Sequence, residues 1–333
     1  MHTSIKSLIL ASILLLSAGA ALAAEPDTAA TLPTPPDAEN YPPPSKHDRP
    51  DADEEYGYRV AWSPFQLGFL DVYQLFAHEV PIRGLGFGVL STWNKSVEGV
   101  SLAPIYNSAD RQRGAALAGI CNKAETQEGA VLGGICNLAD TQRGFALAGI
   151  TNSVSNEKAA KSVGIFIAGV VNAHAARSEG AHLALLCNIL SNSSGASLAG
   201  LWNYQKLGNG LQVAGIYNSA RAIDGLRIAG IINDSDADSK DLNRTVEFAG
   251  ISNLVSGSQS GVLASLLYNS TQESNTGLQL AAFNRAKATR GLQIGLFNDS
   301  TELHGVQIGL LNFSGKRMRL PLINVGWRAK AAK

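Results

Sequence analysis

Asparagine recurs along most of this chain at a nearly constant interval. It stands at Asn94, Asn107, Asn122, Asn137, Asn152, Asn172, Asn188, Asn203, Asn218, Asn233, Asn253, Asn269, Asn284, Asn298, Asn312 and Asn324, mostly 14 to 16 residues apart. Two gaps of 20 residues, Asn152 to Asn172 and Asn233 to Asn253, interrupt the series. The gaps lie 81 residues apart, and the same offset carries Asn107 to Asn188 and Asn122 to Asn203, as a duplicated block would. A period this short leaves each unit too little surface to bury a core alone, so units must stack on one another.

Each unit has the same internal grammar. A glycine stands eight positions before most of the asparagines (Gly114, Gly129, Gly144, Gly210, Gly225), with Thr245 as the clear replacement. Glycine there points to a turn with positive φ or to close stacking of backbones. Leu117, Leu132, Leu147, Val213 and Ile228 follow, then Ile120, Ile135, Ile150, Ile216 and Ile231. These aliphatic positions are expected in the core. The small pair between them, Ala118-Gly119 in the first of these units, suits a corner or bulge. In the phrase GLQIGLFN, residues 291–298, Leu292, Ile294 and Leu296 alternate with Gln293, Gly295 and Phe297. A half-buried strand with outward glutamines is the expected reading, extending to Gln212, Arg227, Gln279 and Gln307.

One strand and one turn repeat, whereas an antiparallel meander repeats two strands. The expected fold is therefore all-β, a parallel β-solenoid of about 15-residue coils stacked at about 4.8 Å. Some sixteen coils would extend roughly 75 Å. The asparagines, among them Asn122, Asn137, Asn152, Asn203, Asn218, Asn233, Asn298 and Asn312, would form a ladder of amides along the stack. An outer-membrane antiparallel β-barrel is the alternative. Its two-strand repeat and alternation of short and long loops are not seen, nor is a C-terminal aromatic residue.

The ends read differently. Lys6, the apolar run Leu8–Leu16 and the site Ala21-Leu22-Ala23 form a secretory signal over residues 1–23, with cleavage expected before Ala24. The apolar run is shorter than a membrane span, which needs about 20 residues. Cysteine does not follow the cleavage site, so a lipid anchor of the usual bacterial kind is not expected. Residues 24–58 are rich in proline and acid and read as an extended linker. An N-terminal cap and first coil over 59–93, a solenoid over 94–327 and a basic tail over 328–333 complete the division. Residues 59–83 and 316–333 are the parts expected to blunt the two open ends. The formal net charge is zero, which gives no field for nucleic acid or an anionic membrane. Lys316, Arg317, Arg319, Arg328, Lys330 and Lys333 do cluster at the C-terminus, and a solvated end cap accounts for them.

The phrase GLQIGLFN, the lead-in SPFQLGFLDVYQLFAHEVPIRGLGFGVL (63–90) and the closing LPLINVGW (320–327) resemble those of the bacterial surface repeat-containing proteins, exported proteins that include spirochaete lipoproteins. The resemblance covers about residues 60–327. It implies a surface-associated, non-enzymatic repeat protein, exported to the cell surface, outer membrane or periplasm, and supplies no catalytic residues. This chain departs from the lipoprotein members in lacking the lipid-accepting cysteine.

Candidate chemistry is sparse. Cys121 and Cys136 occupy equivalent places in adjacent coils, close enough for a disulfide. In-register neighbours nevertheless hold β-carbons wider than the usual ~3.8 Å, which favours stacked thiols. Cys187, His174 and His182 match no structural zinc spacing and read as separate solenoid positions. Asp234, Asp236 and Asp238 alternate as in a calcium loop, but the glycine and the closing glutamate of that loop are absent, so a surface loop is expected. A nucleophile elbow, a phosphate-binding loop and HExxH are likewise absent. No cofactor, metal site or catalytic residue is therefore expected. A polysaccharide-degrading β-helix enzyme would need acids and bases gathered on one strand face, whereas these strands are nearly uncharged. A surface or periplasmic scaffold is favoured. Trp93, Tyr106, Trp202, Tyr217, Tyr268, Phe283 and Phe297, each just before an asparagine, form a candidate interaction stripe for a protein or glycan. The same position admits packing beneath turns. Membrane association stays open.

Overall fold

The structure, a computed structural model, describes residues 61–70, 73–155, 161–236, 242–315, 317–318 and 321–326. The signal sequence, the linker and the basic tail lie outside the described residues, as do Asp238 and the remainder of both insertions.

All the described strands belong to one sheet of 24, wound as a parallel β-solenoid. The coil Tyr106–Ala118 sets the pattern. It pairs in parallel with Cys121–Gly133, which pairs in parallel with Cys136–Ala148, each residue opposite its equivalent in the next coil. These parallel ladders run through the stack and replace the antiparallel barrel held as the alternative. Stacking starts before Asn94, because Phe65 already lies opposite Leu85 and Leu85 opposite Val100. At Gly129, φ is +119°, and a Cβ would collide with the carbonyl oxygen of Gly114 in the coil below. Only glycine both reaches that φ without strain and lets the backbones approach so closely. Thr245 interrupts this column between Gly225 and Gly261, turning its hydroxyl inward to Glu247 Oε1 at 2.8 Å.

The asparagines form the expected ladder. From Asn107 to Asn312 each Nδ2 donates to Oδ1 of the next asparagine at 2.8–3.1 Å. The second amide hydrogen closes the coil: Asn122 donates to the Leu132 carbonyl at 2.8 Å and Asn137 to that of Leu147 at 2.9 Å. Every amide thereby ties adjacent coils together and also ties one wall of a coil to the other, which is why polar side chains tolerate full burial. Two asparagines of the series stand elsewhere. Asn94 lies opposite Ala109, so Thr92 takes the ladder position and donates to Asn107 Oδ1 at 3.1 Å. Asn324 lies opposite Gln307 and donates to its Oε1 at 2.8 Å.

The expected core is inverted. In the reference coil Asn107, Ala109, Gln112, Ala116 and Ala118 point inward, whereas Leu117 is 39% and Ile120 is 42% exposed. Ile135, Leu147, Ile150, Ile216, Ile228 and Ile231 are also exposed, and Leu132 and Val213 are half-buried. Gln212, Arg227, Gln279, Gln293 and Gln307, expected outward, are buried. Strand alternation admits two phases, and hydrophobicity alone chooses the wrong one here. The coil's walls are held close by the asparagine bridges, so the inward columns take alanine, glycine, serine and amides, and the bulky aliphatics between them must face out. Larger inward groups are few, among them Phe166, Leu190, Ile223 and Leu263.

The direction reverses at both ends. Tyr73–Gln74 pairs antiparallel with Ser63–Leu70, and the Gln66 amide holds the return through Phe76, donating to its carbonyl and accepting from its N–H. At the other end Arg317–Met318 folds antiparallel on Leu311–Ser314, and Leu322–Gly326 on Gly305–Gly309. Such reversals present a turned-back edge where an open parallel strand would offer unpaired groups.

Candidate interaction surface

Because side chains stack in register, the outside of the solenoid is a set of rows running along the stack. One side is charged. Arg83, Glu98, Arg113, Glu128 and Arg143 alternate in sign along one row, with closest approaches of 3.6, 3.7, 3.0 and 3.5 Å. These pairs are about half exposed, so each adds little to stability.

Among the described residues the other side carries no outward Asp, Glu, Lys or Arg from the Ala115 row through to the Tyr106 row, Arg227 and Glu247 standing on an inward row between them. The Leu117 row runs Leu147, Leu198, Ile228, Phe248, Leu280 and Ile308 along the stack, and the Ile120 row follows on the outside of the bend. The aromatic candidates edge this side. Tyr106, Trp202, Tyr217, Tyr268, Phe283 and Phe297 share one row, all half-buried except exposed Phe283, but the row is not continuous. Cys121, Cys136, Thr151, Val171 and Cys187 separate Tyr106 from Trp202, and Ile232 and Ser252 separate Tyr217 from Tyr268. Phe283 and Phe297 stack at 4.8 Å between ring centroids. Trp93 belongs to a different row, opposite Ser108, and stacks on His78 at 4.2 Å. The Tyr217 hydroxyl donates to Asp234 Oδ2 at 2.7 Å, and burial, with the Asp234 charge second, pushes its pKa up. Asp234, the first acid of the calcium-loop pattern, is thus held at 7% exposure as an acceptor for tyrosine.

Two expectations about reactive side chains are overturned. Cys121 and Cys136 are joined as a disulfide across neighbouring coils, with α-carbons 4.7 Å apart, where stacked thiols were expected. That α-carbon separation lies within the range a disulfide spans, so the side chains only need to lean together. Cys187 is free and buried, and burial raises its thiol pKa to about 11. His174 and His182 are not separate: their rings meet in the core at 4.9 Å, with Phe166 at 4.5 and 5.0 Å. Opposite walls of one coil bring together residues eight apart in sequence, a relation hidden in a search for metal-ligand spacing. Among the described residues no group of three or more His, Cys, Asp or Glu side chains is placed to hold a metal ion.

Sequence reading also missed a buried ion pair. Arg227 Nη1 reaches Glu247 Oε1 at 3.2 Å with both side chains fully buried. The guanidinium also donates to Gln212, to Ser235 and to the carbonyls of Asn218 and Asp234. The only signal was the column itself, where Arg227 and Glu247 stand in the places that Gln212 and Gln279 fill in other coils.

No protein-family model, curated protein or solved structure matches this chain.

Proposed function

We propose that this chain is an exported, non-catalytic repeat protein of a bacterial cell surface or periplasm, acting as a scaffold that binds along its side. The observation that carries this reading is the uniformity of the aliphatic Leu117 and Ile120 rows. The same class of side chain is offered coil after coil, as an extended binding surface requires, while the most elaborate polar cluster, around Arg227, is sealed inside and meets no substrate. The resemblance to bacterial surface repeat-containing proteins and the signal-like first 23 residues support export.

Location and chemistry test it separately. Expressed in a Gram-negative bacterium, the chain should be recovered outside the cytoplasm with Ala24 as its first residue. Purified, it should release no reducing ends from a panel of polysaccharides. Recovery of the uncleaved chain in the cytoplasm, or saccharide release abolished by substituting a single acid, would overturn the reading.

A further inference from the structure

The uncharged side is a convex ridge. Its apex is the Ile120 row, which includes Ile120, Ile135, Ile150, Ile216, Ile231 and Ile251, exposed by 36–44%. The Leu117 row flanks it on one wall and the Tyr106 row on the other. From Asn107 to Asn312 the ridge extends roughly 60 Å at the spacing of stacked strands, and its two flanks span about 20 Å of extended chain. That area exceeds the few hundred Å² of the largest apolar patch on an ordinary soluble monomer.

Backbone chemistry says what can cover it. At the apex, Gly119 N donates to Ala103 O at 3.1 Å, and Ile120 N and Cys121 N both donate to Ile105 O at 3.1 and 3.0 Å. The next turns repeat the arrangement, with Gly134 to Ala118 and with Ile135 and Cys136 to Ile120. At these bends the N–H groups are thus paired within the stack, which lowers the cost of contact with hydrocarbon. A protein partner would be expected to meet polar groups that fix its register, and the Leu117 and Ile120 rows carry none. Two copies of a convex ridge would meet along the Ile120 apex and leave both flanks uncovered.

We propose that the ridge inserts into the outer part of a lipid layer, with the Ile120 row among the acyl chains and the charged Arg83–Arg143 row facing water. Trp202, Tyr217 and Tyr268 then sit at the level of the headgroups, where amphipathic rings are favoured. The attraction is apolar, so it needs no anionic lipid. This deepens the scaffold reading and rests on it, naming a lipid surface as what the scaffold binds.

The test is co-sedimentation of the purified full chain with vesicles of phosphatidylcholine alone. The chain should pellet with them, as much at high salt as at low. The triple substitution Ile135→Lys, Ile216→Lys, Ile231→Lys should lower partitioning ~tenfold or more, since three aliphatic anchors are lost. Asp110→Lys, Glu125→Lys, Asn209→Lys on the charged side should leave it within about twofold. Should the first triple variant lose its β circular dichroism, brominated phosphatidylcholine decides the matter with the unaltered chain. It should quench a component of the tryptophan emission that Trp202→Phe removes. Failure to pellet and to be quenched overturns the proposal, and so does a concentration-dependent dimer in solution that the isoleucine substitutions dissociate, which would make a second copy the occupant. A chain exported as above but indifferent to vesicles loses only the lipid contact, whereas recovery in the cytoplasm removes the scaffold reading itself.

Discussion

Arg227 and Glu247 meet at 3.2 Å on neighbouring coils with neither side chain touching solvent. Strand Leu242–Ala249 follows strand Tyr217–Ala229 in the stack, so the pair sits one above the other in the column that also holds Gln212 and Gln279. The guanidinium is saturated by Gln212, Ser235 and two carbonyls, and Thr245 donates to the same Glu247 oxygen. A buried pair of this kind is strongly destabilising to break and close to neutral to replace.

Glu247→Ala should therefore lower stability by about 3–5 kcal/mol, because Arg227 keeps its charge without its partner. The double substitution Arg227→Met, Glu247→Leu should recover most of that loss. Urea midpoints of the three proteins check it, and a double variant as unstable as Glu247→Ala would show that the polar network, not charge balance, holds these coils.

The His174–His182 contact makes the stack acid-sensitive. Burial holds His182 down to about 4, against a smaller opposing effect of the Ala196 backbone, and holds His174 well below its ordinary value, with His182 as the second cause. Both are neutral when folded, whereas the unfolded chain binds protons below about 6.5. Their contribution is complete above that pH and is lost as pH falls, until near pH 4 His182 also protonates in the fold. His182 alone should remove roughly 3 kcal/mol across that window. His182→Phe should flatten the slope of stability against pH between 6.5 and 4, and an unchanged slope would place the sensitivity elsewhere.

Thiol labelling reads the sulfur chemistry directly. The unfolded, unreduced chain should take up one iodoacetamide, at Cys187, and the reduced chain all three of its cysteines. In the fold Cys187 should label slowly, since burial raises its pKa to about 11. Reduction opens a loop of 15 residues, worth up to about 3 kcal/mol by loop-closure arithmetic. Three sites labelled without reductant would refute the bond between Cys121 and Cys136.

Asn203 tests the ladder. Its Nδ2 donates to Asn218 Oδ1 at 3.0 Å and to the Val213 carbonyl at 2.8 Å, while its Oδ1 accepts from Asn188 at 2.9 Å. Asn203→Ala should cost about 2–4 kcal/mol, since buried acceptors lose their donor. Asn209→Ala, exposed in the same coil, should stay within about 0.5 kcal/mol. Similar melting temperatures for the two would mean that backbone pairing alone carries the stack.

The sequence by itself determined the period, the parallel stacking, the turn glycines and the asparagine ladder, because each rests on identity between units: a residue that recurs at every coil must meet its own copy. What only the tertiary structure decided is what lies inside. Alternation along a strand is the same whichever face is buried, and the choice between Leu117 outward with Ala116 inward, or the reverse, depends on how closely two walls of one coil approach. The Asn122 amide settles that distance by reaching the Leu132 carbonyl at 2.8 Å, leaving room for alanine and amides but not for rows of leucine. The same cross-wall contact joins His174 to His182, because it relates positions that no repeat makes alike, and a period carries no record of which unlike residues face one another.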